Sequence, residues 1–287
     1  MIRLVEVGPR DGLQNEARTV PTPTKVAFVD ALSGSGLPEI EVSAFVSPKW
    51  IPQLADAEEV FRRIRRAPGV TYSALVPNER GLERALGAKA DKIAVFTAAS
   101  ETFNRKNINA SIAESIQRFV PVVEGARKAG LPVRGYVSTA FWCPYEGKIR
   151  PAQAAEVIRQ LVDLGVDEIS VGDTIGKAQP ADVRELLGLL GPGPALGSSR
   201  IAMHFHDTYH HALENVRESW RLGIETFDAS TGGIGGCPYA PGASGNVSTE
   251  AVVGALEAQG ARTGIRLEAL EEARRVIAPA LGAPGPG

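Results

Sequence analysis

The chain has 287 residues, with 31 basic against 33 acidic side chains and a formal charge of −2. That near-neutral balance argues against a nucleic-acid partner, and a 44% hydrophobic, 22% charged composition argues against disorder. No apolar run reaches the roughly 18 residues of a membrane span.

Two cysteines make no disulfide framework. The N-terminus from Met1 to Val7 reads as a strand rather than a signal peptide, so a cytoplasmic protein is expected.

The apolar pattern predicts a strand over 2–7, then a helix opened by Thr22 as N-cap and Pro23 as first helical residue, with Val26, Val29 and Leu32 on one face. Strands follow at 38–44, 70–76 and 91–97. Ser111 and Glu114 form a capping box ahead of a helix whose face carries Ile116, Phe119, Val120 and Val123. A strand at 132–138 precedes a helix over 151–164 that aligns Val157, Ile158, Leu161 and Val162. Strands at 167–172, 200–206 and 224–229 come next, and residues 266–281 close the chain as a helix. Gly36, Gly130, Gly165 and Gly223 stand where helices stop.

Nearly continuous apolar strands, each followed by a helical stretch, predict a single (β/α)8 TIM barrel over 1–281, with a C-terminal closing helix and a disordered tail at 282–287. An open doubly wound sheet is the alternative. A barrel directs attention to the loops after each strand, where active sites sit.

After the first strand come Arg10 and Asp11, either solvated turn residues or members of a site. Glu41 interrupts an apolar strand and needs a partner, Arg10 or Lys49, because an unpaired buried carboxylate is costly. Asp173 ends the sixth strand, where it either shapes the turn or acts as a base.

All four histidines lie in 204–211. Strand alternation sends His204 and His206 to one face, which makes them a candidate metal pair that Asp11 and other oxygen donors can complete. Such a mixed nitrogen and oxygen set suits Mg²⁺ or Mn²⁺, with Zn²⁺ or Co²⁺ as alternatives. His210 and His211 are read as the start of the next helix. The segment 232–246 holds six glycines, which points to close backbone approach or to a moving lid. Cys237, on this polar loop, is read as a reactive thiol, Asn246 as a neutral oxygen donor, and Cys143 as structural.

These residues stand within VEVGPRDGLQNE (5–16), FVSPKW (45–50), KNIN (106–109), RGYVS (134–138), CPYEGKI (143–149), GDTIG (172–176), HFHDTY (204–209) and GGCPYAPGASGN (235–246). Together they resemble the 3-hydroxy-3-methylglutaryl-CoA lyases of the DRE-TIM metallolyase superfamily, over nearly the whole chain. The resemblance implies Asp11, His204, His206 and Asn246 as divalent-metal ligands, Arg10 as the stabiliser of enolate charge, Cys237 as the thiol of a mobile loop, and Glu41 and Asp173 as supporting acids.

It further implies cleavage of 3-hydroxy-3-methylglutaryl-CoA to acetyl-CoA and acetoacetate, a reaction of leucine degradation and ketone-body chemistry. For an acyl-CoA substrate, Lys49, Lys106 and Lys148 are candidate cations of a phosphate-binding rim, together with Arg105. A homodimer or larger homo-oligomer is expected. Ala44 and the pair Phe141 and Trp142 depart from the usual pattern, which opens a longer 3-hydroxy-3-alkylglutaryl-CoA as an alternative substrate. A Claisen-type acyltransferase of the same superfamily is a second alternative.

Overall fold

The computed structural model describes residues 1–191, 200–237 and 240–281, with the side chains of 236, 237 and 240–244 outside the description. The predicted tail at 282–287 also lies outside the described residues.

The strands, in chain order, are β1 (Arg3–Glu6), β2 (Glu39–Ala44), β3 (Thr71–Leu75), β4 (Lys92–Ala98), β5 (Val133–Ser138), β6 (Trp142–Cys143), β7 (Gly147–Lys148), β8 (Glu168–Asp173), β9 (Ile201–Phe205), β10 (Thr226–Ala229), β11 (Gly236–Cys237) and β12 (Ala240–Ser244). Eight of them close a parallel barrel in the order β1, β10, β9, β8, β5, β4, β3, β2 and back to β1. These are the eight predicted strands, each displaced by at most two residues at either end. The four short remaining strands form two hairpins, β6–β7 and β11–β12, that the apolar pattern does not announce.

The surrounding helices are α1 (Thr22–Ser33), α2 (Ala57–Arg63), α3 (Glu79–Gly87), α4 (Glu101–Ile108), α5 (Ile112–Lys128), α6 (Pro151–Leu164), α7 (Pro180–Leu190), α8 (Ala212–Arg221), α9 (Thr249–Glu257) and α10 (Leu267–Ile277). The capping box at Ser111 and Glu114 forms as expected. The N-cap of α1 is Pro21, not Thr22. The Thr22 hydroxyl donates to Asp56 Oδ2 at 2.7 Å, a charged acceptor that outcompetes a neutral capping bond. The closing helix α10 packs along α1 and buries Leu270, Ala273 and Ile277. Among the described residues no helix is long and apolar enough to cross a membrane.

Between sheet and helices lies an apolar layer that includes Phe28, Leu32, Ile40, Val157, Leu161 and Phe227, all buried. Each such side chain contributes about 1.5–3 kcal/mol by leaving water.

The barrel interior is built differently. Arg134 of β5 donates to Asp228 of β10 at 2.5 Å, and Tyr136 of β5 donates to Glu41 of β2 at 3.0 Å. Neither pair of strands is adjacent, so both bonds cross the interior. Toward the N-terminal end, Lys92 lies 3.0 Å from Glu39 and 2.8 Å from Glu168, and Arg3 reaches the same two carboxylates.

Gly36 shows why a helix stops where it does. Its φ is +89°, and a Cβ there would stand 2.4 Å from the carbonyl oxygen of Gly264. Gly36→Ala should lower unfolding free energy by about 1–3 kcal/mol, read from urea unfolding; an unchanged midpoint would contradict this packing.

Candidate active site

β1 leads into a π-helical turn, Gly8–Gly12, that carries Arg10 and Asp11. Arg10 Nε donates to Glu41 Oε2 at 2.7 Å and Nη1 to Asp11 Oδ1 at 2.6 Å. The partner of Glu41 is therefore Arg10, not Lys49. Tyr136 braces this pair: its hydroxyl bonds Glu41, and its ring centre lies 5.1 Å from the Arg10 guanidinium carbon. Burial disfavours the Arg10 charge, but Glu41 and Asp11 outweigh it and keep the guanidinium protonated. For Asp11, burial pushes the pKa up, while Arg10 and the two imidazoles pull harder and hold it well below the usual carboxylate range.

His204 is the penultimate residue of β9, and His206 follows just past its end on the same side, with ring centroids 5.3 Å apart. One oxygen of Asp11 and one nitrogen of each histidine lie within 4.8 Å of one another. Burial, then the charge of His204, lowers His206 to about 4, so its ring is neutral at physiological pH. Its Nδ1 is buried with no hydrogen-bond partner among the described residues. An orphaned imidazole nitrogen beside an anionic carboxylate and a second imidazole fits a divalent cation.

Asn246 arrives from the far end of the glycine-rich segment. Its amide nitrogen donates to Asp11 Oδ2 at 3.0 Å and to the Ile234 carbonyl at 3.2 Å. Glycine makes that approach possible: a Cβ on Gly235, where φ is +116°, would lie 2.8 Å from the Asn246 amide and 3.1 Å from Gly12. Cys237 lies in β11, which pairs with β12, and its side chain lies outside the described residues.

Asp173 is fully buried, and its two oxygens accept the backbone N–H groups of Lys177 and Ala178. It shapes the turn after β8, and its neighbours Gly172 and Thr174 line the cavity. Burial lifts it to about 7 against the pull of those two bonds. His210, expected to open a helix, instead has φ +61°; the cap is His211, and α8 starts at Ala212.

Arg10, Asp11, His204 and His206 line one side of a cavity of about 1380 Å³ that opens at the C-terminal ends of the strands and passes Leu75, Phe96 and Tyr136. Its mouth carries Trp50, Arg105, Lys106 and Arg118. Of the three lysines expected at a rim, only Lys106 lines the cavity, stacked 4.2 Å from the Tyr145 ring centre. Lys49 is exposed on the loop beside Trp50. Lys148 is drawn away by an ion pair with Asp182 at 2.7 Å. Ala44 is buried among Leu54, Leu75, Ala94 and Tyr136. Phe141 stacks on Phe205 within the core.

Known proteins match this chain over nearly its whole length. The family model described as HMGL-like matches residues 1–277. The chain belongs to the HMGL-like family. The mitochondrial hydroxymethylglutaryl-CoA lyase of Bos taurus is 50% identical over 281 residues, 98% of this chain and 86% of that protein. The HMG-CoA lyase structure from Brucella melitensis has 50% identity and a TM-score of 0.94, covering 97% of this chain and 98% of its own. An HMG-CoA lyase from A. baumannii, in complex with coenzyme A and 3-methylmalate, has 38% identity and a TM-score of 0.92, covering 100% of this chain and 93% of its own.

Sequence reasoning missed Glu6, Tyr136, Arg134 and Asp228. Glu6, buried at the end of β1, accepts from Gly8 N at 2.9 Å, Thr231 N at 2.8 Å, and the hydroxyls of Thr231 and Thr249 at 2.7 Å each. One carboxylate thus ties the turn bearing Arg10 and Asp11 to both ends of the glycine-rich segment. Burial lifts it to about 7 even with four donors. A signal for it existed in the sequence, a lone acid between apolar residues just as at Glu41. Glu6→Gln presents an amide NH₂ to some of these donors and should cost about 1–3 kcal/mol. Thermal unfolding should show a midpoint several degrees lower; no shift would argue against the fourfold anchorage.

Proposed function

We propose that this chain is a divalent-metal-dependent carbon–carbon lyase that cleaves 3-hydroxy-3-methylglutaryl-CoA to acetyl-CoA and acetoacetate. The carrying observation is the cluster of Asp11, His204 and His206 beside the buried Arg10–Glu41 pair. It stands in a chain that shares about half its residues with lyases named for that substrate. An acyl-CoA substrate agrees with the cationic cavity mouth and with the coenzyme A held by the A. baumannii relative.

Asp11, His204 and His206, with Asn246 beside them, would hold the cation. When bound, it polarises the tertiary hydroxyl of the substrate. Mg²⁺ or Mn²⁺ suits these donors, with Zn²⁺ or Co²⁺ as alternatives. Asp173 and His204 are the candidate bases for the hydroxyl proton. We assign it to Asp173, which lies between the cavity-lining Gly172 and Thr174 and whose pKa near 7, reached with both oxygens on backbone N–H groups, leaves it ionised and basic enough to accept. As the C–C bond breaks, its electron pair passes to the thioester and forms the enolate of acetyl-CoA, and the hydroxyl carbon becomes the ketone of acetoacetate. The Arg10 guanidinium, fixed by Glu41 and Tyr136 before substrate arrives, offsets the enolate charge without reorganising. The Cys237 thiol is assigned the proton that goes to the enolate carbon. A place in leucine degradation follows from that substrate. A homo-oligomeric assembly and a cytoplasmic address complete the proposal; a Danio rerio relative named cytoplasmic, 49% identical over 281 residues, supports the second.

Purified protein with Mg²⁺ or Mn²⁺ should form acetoacetate from this thioester, lose the activity to EDTA and regain it on adding metal. No cleavage, with condensation of acetyl-CoA and a 2-oxo acid instead, would establish the Claisen-type alternative. Turnover confined to longer 3-alkyl analogues would redefine the substrate. Cys237→Ser should lower kcat roughly 10²–10⁴-fold while Mn²⁺ binding is unchanged; near-native turnover removes the thiol from the reaction. Because Asp173 accepts a proton only when ionised, kcat/KM should fall as pH drops through about 7. In Asp173→Asn that acid limb should vanish along with most activity; a limb that persists belongs to another group.

A further inference from the structure

His204 and His206 sit side by side, yet they are held unequally. His206 Nδ1 is buried with no partner among the described residues. His204 Nδ1 lies 3.2 Å from Asp228 Oδ2, and its Nε2 faces the other way, 4.0 Å from Asp11 Oδ2.

Asp228 is itself fixed on every side. Its Oδ1 accepts from Arg134 Nη2 at 2.5 Å, and its Oδ2 accepts from Ser170 Oγ at 2.7 Å. The chain of charges continues away from the site: Arg134 Nε lies 3.2 Å from Glu168, Glu168 is 2.8 Å from Lys92, and Lys92 is 3.0 Å from Glu39. Arg3, half-exposed at the N-terminal mouth, reaches both Glu39 and Glu168. Positive and negative groups alternate from the mouth of the barrel to the imidazole.

A carboxylate beside a guanidinium can only accept hydrogen bonds. The ring nitrogen that faces Asp228 must therefore carry the proton. In a neutral imidazole this leaves the lone pair on Nε2, the nitrogen on the Asp11 side. We propose that Asp228, held ionised by Arg134, is the positioning residue that sets the Nδ1–H tautomer of His204 and thereby the affinity of the cation site. The inference rests on the metal reading above for its consequence, though the tautomer is a property of the metal-free chain.

Asp228→Asn tests it. Arg134 claims the single amide oxygen, the NH₂ turns to His204 Nδ1, and the ring must move its proton to Nε2. Mn²⁺ affinity, titrated into the metal-free protein by electron paramagnetic resonance, should weaken roughly 10–100-fold. Ser170→Ala, which leaves the carboxylate and Arg134 in place, should stay within about threefold of wild type, well short of that loss.

The independent readout is the ¹⁵N shift of His204 in metal-free protein at alkaline pH, assigned by its disappearance in His204→Gln. Nδ1–H is expected in wild type and Nε2–H in Asp228→Asn. An Nε2–H ring in wild type overturns the proposal even if the variant does not fold. So does an Asp228→Asn protein that binds Mn²⁺ as wild type does, or a Ser170→Ala protein that loses as much affinity as Asp228→Asn. Wild type that shows the Nδ1–H ring but binds no Mn²⁺ overturns the metal reading and, with it, the affinity half of this proposal.

Discussion

A guanidinium cannot be buried alone. Arg134 stands in the middle of the barrel at 1% exposure, and its charge is tolerable only because Asp228 and Glu168 flank it. Each of those carboxylates then needs its own cation or donor, which Lys92, Arg3 and Ser170 supply. The interior of this barrel is consequently a lattice of alternating charge where branched aliphatic layers are common. Such a lattice adds little net stability compared with an apolar filling, but it has strong directional preferences. It gives the site a floor whose groups cannot rotate independently.

The upper layer inherits that rigidity. Tyr136 lies within 5.1 Å of the Arg10 guanidinium and 5.2 Å of the Arg134 guanidinium, measured to its ring centre. The charge lattice and the Arg10–Glu41 pair therefore share one aromatic ring. On the other side, Asn246 meets Asp11 only because Gly12 and Gly235 carry no side chains. Rigid charge below and backbone contact above converge on the same few ångströms.

Much of this was legible in the sequence. The eight barrel strands stand out because a strand covered on both faces is apolar at nearly every position. Glu41 was legible as an exception to that rule, and His204 with His206 through the two-residue period of a strand. What failed to show is long-range pairing. Arg134 and Asp228 are 94 positions apart, and Glu6 meets Thr231 across 225. The apolar neighbours of Glu6 mark it as buried, but nothing local names the partner that either acid meets. Lys148 illustrates the converse, since its loop suggested a rim until the fold placed Asp182 beside it. The Thr22 cap was misassigned for the same reason: Asp56, which takes its hydroxyl, is 34 positions away. The thiol of Cys237 stays a matter of sequence, because its side chain lies outside the described residues.

The anchorage at Glu6 has a consequence for how such a protein can change over time. Thr231 and Thr249 bind the same carboxylate from opposite ends of the intervening segment. That segment is in effect a cassette with a clasped base. Away from Gly235, Cys237 and Asn246, change within it need not disturb the register of the barrel beneath. Within it Gly235 must stay free of a side chain and Asn246 must keep its contact with Asp11. A fold arranged this way keeps change in that segment apart from its electrostatic floor.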